Sequence, residues 1–267
     1  MGKKLGIICG AGDFPFHVCE EAKKQENICV IAAVKGFADP SLEDGADIFR
    51  WVGLDDILGL VSFFKENDVH AALFAGKIDP RVIYNENRIS TEAKTLMEKG
   101  GDKSPTSLIN SAIGFLQGQG LMVIDPSPFL ASAFCNSGVL TDNKPSDDLK
   151  EDIEFGWTVA RQIADMDIGQ TVVVKDTAIV AVEGMEGTDD VIRRGGLLAG
   201  NGTTVVKVSR TNQDPRIDLP AIGFHTVESL IEAKSNALCI EANRVAFVQR
   251  EKAIALANTQ NIVILAK

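Results

Sequence analysis

Leu5-Gly6-Ile7-Ile8-Cys9-Gly10-Ala11-Gly12-Asp13-Phe14-Pro15 stands near the start of the chain, and the succession of elements it opens decides the fold. Leu5–Cys9 is a short apolar run that reads as a buried strand. After the glycine turn, a helical pattern runs from Phe16 to about Gln25, and Ile28–Val34 is a second apolar run. Strand, glycine turn, helix and strand make a βαβ unit of an α/β sheet. Such a turn can aim backbone N–H groups and a helix N-terminus at an anion. Gly10, Ala11 and Gly12 are therefore candidate substrate-binding residues. The third glycine of the dinucleotide fingerprint is missing, and no acidic residue ends the second strand. The same residues also suit a tight turn with no ligand.

The alternation continues outward. Phe49–Val52 reads as a third strand, and Asp55 is expected to cap an amphipathic helix to about Asn67. Ala71–Ala75 is a fourth strand, running into Gly76-Lys77. A lysine at the carboxyl end of a parallel strand faces the crevice where doubly wound sheets bind ligands, which makes Gly76 and Lys77 candidates as well. Lys77 suits a solvated loop equally. The stretch 83–102 is more polar, with helical character in its second half. Ser104-Pro105 then opens a helix through Gln117, and Leu121–Ile124 is a fifth strand. The expected fold is α/β: a Rossmann-like N-terminal domain, residues 1–133, with an open and mainly parallel sheet.

Residues 134–146, rich in Asn, Ser, Gly, Asp and Pro, read as a linker. The C-terminal domain, 147–267, mixes helices and strands less regularly. Ser146 caps a helix to about Ala164. Thr171–Val174 and Ala178–Val182 form a hairpin, and Thr203–Val208 is a further strand. Then come a helix from Thr226, strands at Ala237–Ile240 and Val245–Val248, a helix Glu251–Ala257 and a last strand Ile262–Ala266.

The formal net charge of −10 argues against nucleic acid as the main partner, and 45% hydrophobic residues describe a globular chain. The five cysteines are scattered without a C-x-x-C or a histidine at ligand spacing, which argues against a zinc site or a disulfide framework. The first apolar run is too short for a signal peptide and no run reaches membrane-span length, so a reducing cytoplasm is the expected compartment.

Chemistry concentrates between Asp167 and Gly223. There the loops hold Glu183, Glu186, Asp189, Asp214 and Asp218 beside Arg193, Arg194, Lys207 and Arg216, among glycines. Carboxylates suit a hard cation such as Mg²⁺, and basic groups with N–H donors suit phosphate oxygens. Phosphoryl transfer needs that mixture, so the residues point to an enzyme acting on a phosphate ester or anhydride. A non-catalytic binding protein or sensor for a nucleotide sugar or phosphorylated lipid is the alternative. His17, His70 and His225 offer no nucleophile motif, although His225 lies close to Asp218 in sequence.

Several motifs, taken in order, resemble a known family over nearly the whole chain. They are Leu5–Gly12 with Pro15; Phe37-Ala38-Asp39-Pro40; Phe74-Ala75-Gly76-Lys77; Leu140-Thr141; Asp167-Ile168-Gly169-Gln170-Thr171-Val172-Val173; Val182-Glu183; Glu186-Gly187-Thr188-Asp189; Arg193-Arg194-Gly195-Gly196; and Asp218-Leu219-Pro220 with Ile222-Gly223. The family is the UDP-2,3-diacylglucosamine pyrophosphatase of lipid A biosynthesis, of the type that is not a calcineurin-like metallophosphatase. Ala11 departs from it, where glycine or serine is usual.

The resemblance implies a Mg²⁺-dependent hydrolase of Gram-negative lipopolysaccharide synthesis. Water would attack the uridine-bearing phosphorus, giving UMP and 2,3-diacylglucosamine 1-phosphate. It implies a Rossmann-like domain joined to a C-terminal domain peculiar to the family. It matches Asp218 to the catalytic aspartate and places sugar-phosphate contacts in the loop Glu186 to Asp189, with Gly187 and Thr188 as candidates; Arg193 and Lys207 are further candidates by their charge. Glu186, Asp189 and Asp218 are the candidate metal ligands. A cytoplasmic enzyme touching the inner-membrane surface transiently is implied; a homodimer is compatible with it.

Overall fold

The computed structural model describes residues 2–79, 81 and 104–267. The stretch 83–102, expected to be partly helical, lies outside the described residues. The chain divides into two compact units, one of Met1–Ala131 with Asp214–Asp218, the other of Ser132–Gln213 with Leu219–Lys267.

In the first unit β1 (Lys4–Cys9), β2 (Ile28–Val34), β3 (Ile48–Val52), β4 (Ala71–Ala75) and β5 (Met122–Val123) form one sheet in the order β3-β2-β1-β4-β5. Every pairing in it is parallel. The continuous apolar character of β2 is explained by this, because strands of a parallel sheet are covered on both faces; Cys29 to Ala33 have no exposed surface. Helix α1 (Phe14–Lys24) carries Pro15 in its first turn, where a missing N–H costs nothing. Helix α2 (Ile57–Glu66) is capped by Asp56, whose carboxylate accepts from Gly59 N–H at 2.8 Å. The cap is thus one residue later than expected, at the position from which a carboxylate reaches the N3 amide. Helix α3 (Pro105–Gly118) has Ser104 as its cap, accepting from Ser107 N–H at 3.2 Å.

Strand order reverses between β1 and β4, the switch point at which open α/β sheets usually take a ligand. Here the chain stitches that point closed. Gly10 N–H donates to Ala75 O at 2.8 Å, Ala11 N–H to Lys77 O at 2.8 Å, and Lys77 N–H to Ala11 O at 2.9 Å. Gly76 has φ +89°, and a Cβ there would stand 2.7 Å from Ala11 O. Gly76→Ala is therefore expected to lose about 1–3 kcal/mol of stability from the positive φ, apart from the clash. Urea unfolding measures this; a variant within about 0.5 kcal/mol of the parent would contradict it.

The second unit is built on a six-stranded sheet in the order β6-β13-β11-β9-β7-β8. Its strands are β6 (Gly138–Val139), β7 (Thr171–Lys175), β8 (Ala178–Val182), β9 (Thr204–Lys207), β11 (Ala237–Ile240) and β13 (Val263–Ala266); β10 (Ala221–Ile222) pairs separately with β12 (Ala246–Phe247). β9, β11 and β13 are parallel, while β7 runs antiparallel to β8 and β9. β6 falls inside the stretch read as a linker, pairing antiparallel with β13. The β7–β8 turn is two residues, Asp176 and Thr177, both with positive φ (51° and 56°), as a twisted hairpin prefers.

Alternate residues of β7 face opposite layers. Val172 and Val174 pack with Ile153, Ala160 and Ala164 of α4 (Asp147–Asp165). Val173 packs in the cluster of α5 (Thr188–Ala199), α6 (Phe224–Glu232) and α7 (Arg250–Thr259), with Val191, Ile192, Val227 and Leu230. The period of two thus builds a helix–sheet–helix sandwich. All five cysteines are buried and free; burial pushes the Cys239 thiol up to about 12. No helix among the described residues is long and apolar enough to cross a membrane.

Candidate functional site

In the second unit the polar motifs converge at one end of the sheet. The antiparallel β7–β9 pair sets Thr171 opposite Lys207. Glu183 lies one residue beyond β8, its backbone N–H donating to Thr171 O at 2.9 Å. Gly169 is required beneath it, since a Cβ there would come within 2.2 Å of Glu183 O. Glu183 accepts from Gln170 N–H (2.9 Å, Oε2) and from the Thr188 hydroxyl (3.0 Å, Oε1). Lys207 Nζ donates to Thr188 Oγ1 at 2.7 Å and to Thr171 Oγ1 at 3.4 Å. Glu183 and Lys207 are both buried, at 8% and 5% exposure, and such charges persist in a core only when satisfied.

Burial pushes the Glu183 carboxyl up. The Lys207 ammonium, the Gln170 N–H and the hydroxyls of Thr171 and Thr188 outweigh it and leave the group below its ordinary 4.5. A carboxyl depressed by folding adds stability that is complete above its unfolded pKa and is lost as pH falls through the folded value. The melting-temperature gap between the parent and Glu183→Gln is thus expected to be widest near neutrality and to close in acid. A gap that widens in acid would refute this.

Thr188 is the first residue of α5, and the preceding Gly187 (φ 83°) provides no side-chain cap. The helix N-terminus lies beside Lys207, and its first turn already carries the carboxylates of Asp189 and Asp190, which the helix dipole favours. Other candidates nearby have structural partners. Glu186 accepts from Gly184 N–H at 3.0 Å and from Arg194 at 2.5 Å, and Arg194 also donates to Val182 O at 2.8 Å, so the pair braces the loop. Arg193 pairs with Glu232 at 2.5 Å and Asp190 at 3.2 Å, tying α5 to α6. Asp189 has one carboxylate oxygen buried without a hydrogen-bond partner among the described residues. His225 is exposed and paired with Glu228 at 2.6 Å.

The first unit holds the remaining candidates. The amide groups of Gly10 and Ala11 are committed to the β4 loop and so are not phosphate donors. Gly12 (φ +92°) stays in open space and Lys77 is exposed. Asp218 belongs to this unit, although its place in the chain put it in the C-terminal domain. Asp214 and Arg216 form a fork, Nε–Oδ1 3.0 Å and Nη2–Oδ2 2.6 Å, and Arg216 N–H adds a 3.0 Å bond to Oδ1. The Arg216 guanidinium holds the Asp214 carboxyl below the usual range. Asp214 O accepts from Ile217 N–H at 3.1 Å and Asp218 N–H at 3.3 Å, closing a turn. Ile217 packs against the core of Ile8, Val30, Leu116 and Val123. Asp125, just beyond β5, adds to the field that Asp214 exerts on Arg216.

The geometry therefore brings Thr188 and Lys207 together and adds Gln170, Thr171 and Glu183; in the sequence, Glu183 stands among the carboxylates suited to a cation, and Gln170 and Thr171 stand only as parts of a motif. The juxtaposition depends on strand register across residues 171 and 207, for which a single sequence has no signal. Among the described residues no three His, Cys, Asp or Glu side chains are grouped to hold a metal.

Two family models match the chain in succession, the LpxI N-terminal domain over residues 4–133 and the LpxI C-terminal domain over 136–265. A relative from Caulobacter vibrioides (strain ATCC 19089 / CIP 103742 / CB 15), UDP-2,3-diacylglucosamine pyrophosphatase LpxI, is 26% identical over 279 residues, covering 98% of this chain and 97% of its own. Among solved structures, the biotin carboxylase subunit of pyruvate carboxylase is similar over 70% of this chain and 39% of that one, at 10% identity. Its TM-score of 0.27 lends it no weight.

Proposed function

The chain belongs to the LpxI family, both of whose domains it carries in order, and on that premise we propose that it is a UDP-2,3-diacylglucosamine pyrophosphatase. The observation that carries the proposal is the end-to-end match, across both domains, to a relative of that name. Water forms a bond to the uridine-bearing phosphorus and the bridging P–O bond breaks. UMP leaves on one side and 2,3-diacylglucosamine 1-phosphate, with the bonding pair, on the other; the water's second proton passes to solvent.

The second unit supports this chemistry with a seat for phosphate. Lys207 supplies a positive charge that the Thr188 hydroxyl holds in place, beside the backbone of the α5 N-terminus. Such a seat holds phosphate oxygens in the ground state and the transition state alike. Asp218 is proposed to orient the attacking water, held by a turn that the Asp214–Arg216 fork and Ile217 keep stiff.

A hard cation would neutralise phosphate charge. The carboxylates here do not fit a preformed Mg²⁺ site, so a Mg²⁺ requirement is proposed to enter with the substrate, whose diphosphate supplies oxygens of the kind Mg²⁺ prefers. The two acyl chains of the substrate imply passing contact with the membrane surface that holds it.

The test is hydrolysis in ¹⁸O-water by the purified chain. UMP carrying the label, with unlabelled 2,3-diacylglucosamine 1-phosphate, is the expected result. Label in the lipid product would place the attack on the other phosphorus. Tight binding without turnover would instead make the chain a binding protein.

A further inference from the structure

The hydroxyl of Thr188 has a single hydrogen, and its neighbours decide where that hydrogen goes. An ammonium has donors only, so at 2.7 Å Lys207 Nζ must donate to Thr188 Oγ1. The Thr188 hydrogen is then given to Glu183 Oε1, 3.0 Å away. The other oxygen of Glu183 accepts the backbone N–H of Gln170 at 2.9 Å. An ionised carboxylate is acceptor-only, so it imposes one direction on the chain of bonds from Lys207 through Thr188 to Glu183. Two hydrogens of the ammonium are thereby turned towards Thr188 and Thr171, and the third has no partner among the described residues. The ammonium itself lies beside the first residue of α5, Thr188.

We infer that Glu183 is a positioning residue of this site, acting through Thr188 and Lys207 rather than by touching substrate or metal. The inference rests on the pyrophosphatase reading, and it gives one carboxylate of the acidic stretch a role other than metal ligand or base. Both oxygens of Glu183 have protein donors, and the group is buried. A glutamine cannot take its place. If its oxygen faces Gln170 N–H, its NH₂ faces Thr188, and the hydroxyl hydrogen exchanges a carboxylate at 3.0 Å for Thr171 Oγ1 at 3.5 Å. If it is flipped, two N–H groups oppose each other at residue 170.

The experiment measures kcat and KM for UDP-2,3-diacylglucosamine, with melting temperature, on the parent, Glu183→Gln, Thr188→Val and the double variant. Glu183→Gln is expected to raise KM about tenfold or more while kcat stays within about threefold, as for loss of binding shared by ground and transition states. The double variant is expected to match Thr188→Val, because the two residues act through one hydroxyl and their effects do not add. An unchanged KM in folded Glu183→Gln overturns the inference, as does a double variant whose effects multiply. Should Glu183→Gln fail to fold, Thr188→Val carries the test, since it removes the hydroxyl and leaves Glu183 bonded to Gln170; an unchanged KM there also overturns the inference. A parent that does not hydrolyse the lipid overturns the pyrophosphatase reading and this inference with it. An active parent with unaffected variants overturns the inference alone.

Discussion

Asp218→Ala is expected to fold like the parent, to bind substrate, and to lose at least ~10²-fold in turnover, the scale of one positioned proton-handling group. Folding should survive because the turn is held by other groups. The Asp214–Arg216 fork and the carbonyl of Asp214 shape it, and Ile217 anchors it in the apolar core. Pro220 restricts Leu219 as well as itself, which limits how far residue 218 can relax. If Asp218 merely braces the turn, the variant would lose stability and affinity together, and the bound fraction would react at the parental rate. Single-turnover rates, substrate affinity and melting temperature on one preparation separate the two cases. A single-turnover rate within a few-fold of the parent would end the catalytic assignment.

Chelation should abolish activity altogether. With excess chelator, hydrolysis of UDP-2,3-diacylglucosamine is expected to fall to background and to return on adding Mg²⁺. The described carboxylates offer no grouped ligands, and Glu186 is tied to Arg194. The diphosphate is then the chief source of oxygens, and Mg²⁺ ordinarily keeps several waters in such complexes. Mg²⁺ should accordingly leave the melting temperature of the substrate-free protein unshifted, although it is needed for turnover. Full activity in chelator would remove the ion from the reaction. A large thermal shift by Mg²⁺ alone would point instead to a site within the protein.

Much of the framework could be read from local pattern. Ile28–Val34 and Ala237–Ile240 are the strands their β-branched and apolar runs announce, and Ser104 and Ser146 cap the helices they precede. Such features depend on neighbours a few residues away. The readings that changed depend on distant ones. The amides of Gly10 and Ala11 look available for a phosphate until the loop after β4, more than sixty residues on, takes them. The ion pair of Arg193 with Glu232 depends on α6 packing beside α5, which no local pattern announces. Glu183 reads as one more carboxylate in an acidic stretch until strand register places a lysine and two threonines around it. Asp55 and Asp56 differ only in which one reaches the amide of Gly59, a choice of backbone geometry rather than composition.

Asp214–Asp218 lies late in the chain yet completes the early unit. A growing polypeptide releases residues up to Ala131 well before this segment, a lag on the order of ten seconds at ordinary synthesis rates. Through that interval the nascent N-terminal half has no Ile217 against its core and leaves that apolar patch to water or to a chaperone. A fragment ended at Ala131 would remain in that condition for good. Asp218 reaches the surface that holds it only when most of the polypeptide has been made, so unfinished chains should be inactive by construction.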